Sequence, residues 1–119
     1  MMTLNRKRAY QYLVQDGHLI RSVAGDGGGS TYTHRCKMAT FEAVAHAIAE
    51  MDAEWPGVTV RHIVATEKLP FTQVHIAMEF LKERGIVEVR YRRYFPASSD
   101  VHLDAMVEFH ALAERCKHA

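Results

Sequence analysis

Eight histidines among 119 residues make metal ligation the first chemistry to test. His34-Arg35-Cys36 and Cys116-Lys117-His118 form two His-x-Cys pairs, enough in number for a tetrahedral zinc site. On a strand, residues two apart share a face, so His34 and Cys36 would chelate together. On a helix they lie about 200° apart around the axis, and Cys116 and His118 would need a frayed end to meet. The spacing therefore predicts no metal and a buried or idle cysteine pair, in keeping with a reducing cytoplasm. His46 and His62 read as packing or surface residues rather than ligands. Nucleophilic catalysis needs Ser or Cys beside a base and an orienting acid. Ser98, Ser99 and Asp100 lie together, but Asp100 is placed to cap the last helix. No carboxylate pair or Cys–His pair has a spacing that singles it out, so neither catalysis nor a cofactor is expected. The tract Ala24-Gly25-Asp26-Gly27-Gly28-Gly29-Ser30 lacks the Gly-Lys-Ser/Thr ending of a phosphate-binding loop, and a strand rather than a helix follows it. Its last glycine position in a dinucleotide fingerprint falls on Ser30. It reads as a hairpin loop.

Basic side chains are the stronger signal. Arg90, Arg92 and Arg93, with Lys82 and Arg84 nearby, alternate with Tyr91 and Tyr94. This is the composition of a ribbon lying along a phosphate backbone. A solvated hairpin tip balanced by acidic helices has the same composition. Arg6, Lys7 and Arg8 offer a second backbone contact or a charged, frayed terminus. The formal net charge of +1 makes the whole-molecule field too weak to argue for nucleic acid, so local charge must carry the case. Residues 1 to 38 hold six Lys and Arg against two acids, residues 39 to 60 four acids and no Lys or Arg, residues 61 to 99 seven against four, and residues 100 to 119 two against four.

The elements that must position these residues follow from periodicity. Residues 4 to 15 are expected as a short helix with Tyr10, Leu13 and Val14 inward, ended by Asp16-Gly17. Two β-type runs, residues 18 to 23 and 31 to 38, make a hairpin. An acidic helix follows, with Phe41, Val44, Ala45, Ile48 and Met51 three or four apart, Thr40 as N-cap and Trp55-Pro56-Gly57 as its stop. Thr59 caps a helix packing Ile63 and Val64 inward. After the turn at Leu69-Pro70-Phe71-Thr72, a further helix aligns Val74, Ala77, Met78 and Leu81, with Gly85 as its left-handed cap. Ile86 to Tyr91 is a strand, Arg92-Arg93 the bend and Tyr94-Phe95 the return. The last helix, from Val101 to about Lys117, puts Met106, Phe109, Leu112 and Ala113 on one side.

This order resembles a winged helix-turn-helix. Val58-Thr59-Val60-Arg61-His62-Ile63-Val64-Ala65 is similar to the family's first-helix entry, usually Leu-Thr-Val-Arg followed by an apolar pair. Val74 and Leu81-Lys82-Glu83-Arg84-Gly85-Ile86-Val87 resemble its second-helix ending, Leu-Glu-x-x-Gly-Leu-Val. The match runs from Val58 to Val87, as in bacterial winged-helix transcription regulators. In DNA-binding members the second helix enters the major groove. Carried over, its outward positions here are Thr72, Gln73, His75, Ile76, Glu79, Phe80 and Glu83. The family commonly has Ser at the position of His75 and Arg at those of Ile76, Glu79 and Phe80, so this set departs from it. Two carboxylates would repel phosphates, and two large apolar residues make no phosphate bond. Thr72, Gln73 and His75 remain as donors.

The expectation is thus an α+β domain of one unit. It has an N-terminal helix and hairpin extension (residues 1–38), a winged-helix core (39–96) and an appended C-terminal helix (97–119). Two functions are open. One is a DNA-binding transcription regulator contacting duplex DNA through Thr72, Gln73, His75, Lys82, Arg90, Arg92 and Arg93. The other is an interaction module without DNA binding that grips a protein partner with Ile76 and Phe80. Met106, Phe109 and Leu112 of the last helix follow a winged-helix core that is already complete, so they need a further surface: either a second copy, giving the homodimer that regulators of this family often form, or Tyr10, Leu13 and Val14 of the N-terminal element, giving a self-contained monomer. The N-terminal basic cluster is not followed by the apolar run of a signal peptide, and no stretch approaches the roughly 18 apolar residues of a membrane span. A cytoplasmic protein is expected.

Overall fold

The computed structural model describes residues 10–23, 32–51 and 56–118. The glycine-rich tract, the Arg6 to Arg8 run and Trp55 lie outside them. The element order is β1 (Tyr10–Gln15), β2 (His18–Val23), β3 (Tyr32–Lys37), α1 (Met38–Ala49), α2 (Val60–Glu67), α3 (Phe71–Glu83), β4 (Val87–Arg90), β5 (Arg93–Pro96) and α4 (Val101–Lys117). The described residues form an α+β fold of four helices, a three-stranded antiparallel sheet in the order β1-β2-β3 and a two-stranded ribbon of β4 and β5. Among the described residues no helix is long and apolar enough to cross a membrane.

The N-terminal element is the main correction. Residues 10 to 15, expected as helix, are strand β1, paired from Tyr10↔Val23 to Gln15↔His18. Tyr10, Tyr12 and Val14 alternate with Gln11, Leu13 and Gln15, a period of two built from residues that favour strands. Asp16-Gly17 is therefore a hairpin turn rather than a helix stop. Both residues sit at positive φ, 52° and 75°, the conformation a two-residue turn needs to match strand twist. Leu13 consequently points to the opposite face from Tyr12 and Val14, and it is exposed while Val14 is buried.

β3 runs into α1 without a loop, so the helix starts at Met38 with Lys37 as its N-cap. Thr40, expected as the cap, lies buried inside the first turn. Phe41, Val44, Ala45 and Ile48 are all buried, as their spacing requires. Thr59 does cap α2, its side chain accepting from the His62 amide at 3.1 Å. Gly85 takes φ 75° after α3, and the Ile86 amide closes the turn on the Leu81 carbonyl at 2.9 Å. Asp100 caps α4 through the Leu103 amide at 3.2 Å.

Four aromatic rings tie the layers together. Tyr12 of β1 meets Phe80 of α3 at 5.2 Å, Phe80 meets Phe41 of α1 at 5.7 Å, and Phe41 meets Phe109 of α4 at 5.2 Å. Such pairs add about 0.5–1.5 kcal/mol each to what burial alone contributes. The sheet, α3, α1 and α4 therefore share one core, and the N-terminal strands are part of it rather than an extension. Before α2, Val58 exchanges both backbone hydrogen bonds with Tyr94 of β5, at 3.0 and 2.8 Å. This bridge anchors the ribbon along its β5 edge.

Candidate nucleic-acid interface

The expected interface has two halves, α3 and the β4–β5 ribbon, and they differ in what covers them. Ile76 and Phe80 are 0% exposed. They are core residues under the N-terminal sheet, so the reading that gave them to an outside partner is corrected. Burial of such side chains stabilises the fold by about 1.5–3 kcal/mol each. That gain holds the sheet against the helix face a groove-reading element would have to expose.

The polar residues between them serve the same seam. Gln73 Oε1 accepts from the Lys37 amide at 2.9 Å, at the junction of β3 and α1. Arg21 of β2 is 7% exposed, and its guanidinium donates to His75 Nδ1 at 2.9 Å while lying 4.4 Å over the Tyr10 ring. A guanidinium can only donate, so Nδ1 is the acceptor and the imidazole is neutral. Burial, and then the Arg21 charge, hold His75 below its ordinary pKa of 6.5. The Tyr94 hydroxyl donates to Glu79 at 2.6 Å, and Lys82 pairs with the other Glu79 oxygen at 3.3 Å. Burial pushes the Glu79 carboxyl up, but Tyr94 and Lys82 outweigh it and the net shift is downward. Burial, reinforced by Glu79, raises the Tyr94 phenol. Burial likewise raises the Tyr12 phenol, against the Arg21 charge. Of the residues expected to meet DNA from α3, Gln73 and His75 are engaged by the sheet, Lys82 is paired, and Thr72 stands exposed.

The ribbon is open. Its bend is Tyr91-Arg92, one residue earlier than expected, with Val87↔Pro96 to Arg90↔Arg93 in register. Tyr91 and Arg92 both occupy the left-handed region, at φ 53° and 65°. A two-residue turn of this kind normally uses Asn or Gly, because a Cβ there costs about 1–2 kcal/mol per residue. Tyr91 is 92% exposed, so no packing offsets that cost. Arg90 pairs with Glu88 at 3.0 Å and lies 4.1 Å over the Phe95 ring. Arg92 and Arg93 are exposed and form no ion pair among the described residues.

Elsewhere, α4 packs its expected dimer residues inward. Phe109 and Leu112 are buried and Met106 is half-buried against the same core, because β1 and α1 supply the surface on which α4 packs. The apolar residues α4 leaves exposed are Leu103 and Val107. Among the described residues the two His-x-Cys pairs do not gather into a ligand cluster. Cys36 is fully buried, and burial pushes its thiol up to about 12, while the Cys116 sulfur accepts from the Val14 amide at 3.5 Å. Ser98 and Asp100 serve the start of α4, Ser98 accepting from the Asp100 amide at 3.1 Å. The ligand-type side chains that do converge among the described residues are Glu42, His46 and His102. Their Glu42-x3-His46 spacing was readable in the sequence; the approach of His102 was not, since it depends on how α4 crosses α1. Compared with known proteins, the chain matches no family model, no curated protein and no solved structure.

Proposed function

We propose that the chain is a winged-helix nucleic-acid-binding module, of the class that regulates transcription, which touches the phosphate backbone through its β4–β5 wing and does not read bases with α3. The winged-helix reading is supported by the order α1, Val58 bridge, α2, α3, β4, β5, with the bridge joining the segment before α2 to the ribbon. The observation that carries the functional reading is the wing tip. It keeps a tyrosine and an arginine in a strained turn, fully presented to solvent, where Asn-Gly would be more stable. Strain held at an exposed position points to a contact made in another state. An exposed ring can stack on a base or sugar, and Arg92 and Arg93 meet phosphates on either side.

Pairing of two copies through α4, which would present two wings at once, would have to use Leu103 and Val107. The experiment is a titration of fluorescent duplex DNA across a salt series. Binding is expected to weaken linearly in log–log form, and Arg92→Ala with Arg93→Ala to reduce the slope by about two units. Wild-type protein that shows no salt-dependent binding removes the proposal.

A further inference from the structure

α1 and α4 meet along an apolar seam marked by Phe41 and Phe109, and one edge of that seam gathers three side chains of a different kind. Glu42 and His46 stand four residues apart on α1, so they share a face just beside the buried stripe of Phe41, Val44, Ala45 and Ile48. His102 follows the buried Val101 at the start of α4. Its Nε2 lies 3.0 Å from Glu42 Oε2, and His46 Nε2 lies 4.0 Å from the same oxygen. The two imidazoles stack at 3.8 Å between centroids, 17° from parallel. One ligand atom from each residue falls within 4.8 Å of the others.

We propose that Glu42, His46 and His102 form a binding site for a divalent transition-metal ion of the zinc class, which clamps α1 to α4. Two imidazole nitrogens and one carboxylate oxygen are a ligand set for Zn²⁺, Co²⁺, Ni²⁺ or Cu²⁺ rather than for Ca²⁺ or Mg²⁺, which take oxygen. Ligand bonds of about 2.0–2.2 Å around a tetrahedral centre separate the donor atoms by roughly 3.3–3.6 Å. The observed 3.0 and 4.0 Å bracket that value. Capture requires the two rings to tilt out of their stack so that both lone pairs point at one centre, while the backbones stay in place. All three side chains are partly exposed, so an ion can enter from solvent, and solvent fills the remaining coordination position. The imidazoles must be neutral to bind, so protons compete with the ion and affinity falls as the pH is lowered.

The test titrates the full chain with Zn²⁺ in a calorimeter, and with Co²⁺ followed by its visible absorption. One ion per chain is expected, with a thermal midpoint raised by roughly 5–10 °C at a hundredfold excess over Kd. His46→Gln and His102→Gln should each weaken binding at least tenfold, while His118→Gln leaves it unchanged. Because a variant could also disturb the seam, the wild-type chain is followed by histidine side-chain NMR, where Zn²⁺ should move the His46 and His102 imidazole signals first and together. Absence of a one-to-one complex, or a complex that survives in the His46→Gln, His102→Gln double variant, overturns the site.

Discussion

α3 and the β4–β5 ribbon are neighbours in sequence and, in the winged-helix reading proposed above, the two parts that would meet DNA together, yet here they have opposite fates. Every large apolar side chain of α3 except Phe71 is buried, and its Gln73, His75 and Glu79 are engaged by Lys37, Arg21 and Tyr94. The ribbon tip is exposed and strained. The difference comes from the N-terminal sheet, which lies on one and not the other. A helix that resembles a reading element by its own residues becomes a core element when another part of the chain supplies a matching apolar face.

The sharpest way to break this contrast is to cut into the covered side. Phe80→Ala removes a ring that touches Tyr12 and Phe41, and should destabilise the protein by about 3–5 kcal/mol in denaturant unfolding. Tyr91→Ala at the tip should change stability by less than about 0.5 kcal/mol. Comparable losses at the two positions would mean that the sheet does not hold α3 as described.

The tip can be relaxed instead of removed. Replacing Tyr91-Arg92 by Asn-Gly relieves two left-handed residues and should raise stability by about 1 kcal/mol or more, read as a higher thermal midpoint, while weakening DNA binding. A variant that is both more stable and equally tight would show that the strain has no functional counterpart.

A smaller effect separates the two regions by pH. His75 is packed against Arg21 from β2 and Glu79 and Lys82 from its own helix, and its folded pKa is depressed. The unfolded chain therefore takes up a proton near 6.5 that the folded chain resists, so stability present at neutral pH is lost as the pH falls from about 6.5 through the folded value. The depressed Glu79 carboxyl acts with the same sign at lower pH, below its ordinary 4.5. His75→Gln, which can still accept from Arg21, should flatten the stability curve in the histidine window. An unchanged curve would show that another group titrates there.

How much of this was legible beforehand differs by element. The stripes of α1, α2, α3 and α4 were readable because apolar spacing reports which side of a helix is buried, and the caps at Thr59, Gly85 and Asp100 were readable from local backbone chemistry. β1 escapes periodicity because Tyr10, Leu13 and Val14 also fit a helical spacing and a six-residue run is too short to decide; the Asp16-Gly17 turn is the signal that favours a strand. The covering of Ile76 and Phe80, and the meeting of His102 with His46, depend on contacts between segments far apart in the chain. No local pattern carries that information.

Whether nucleic acid meets the β4–β5 ribbon and not α3, as proposed, is decided by mapping backbone amide NMR shifts of the full chain as a short DNA duplex is added at low salt. Progressive shifts confined to residues 88–94 are expected, with residues 71–83 and the sheet that covers them unmoved. Shifts centred on Thr72, Gln73 and His75, with the sheet displaced, or no shifts at all, would contradict the proposal.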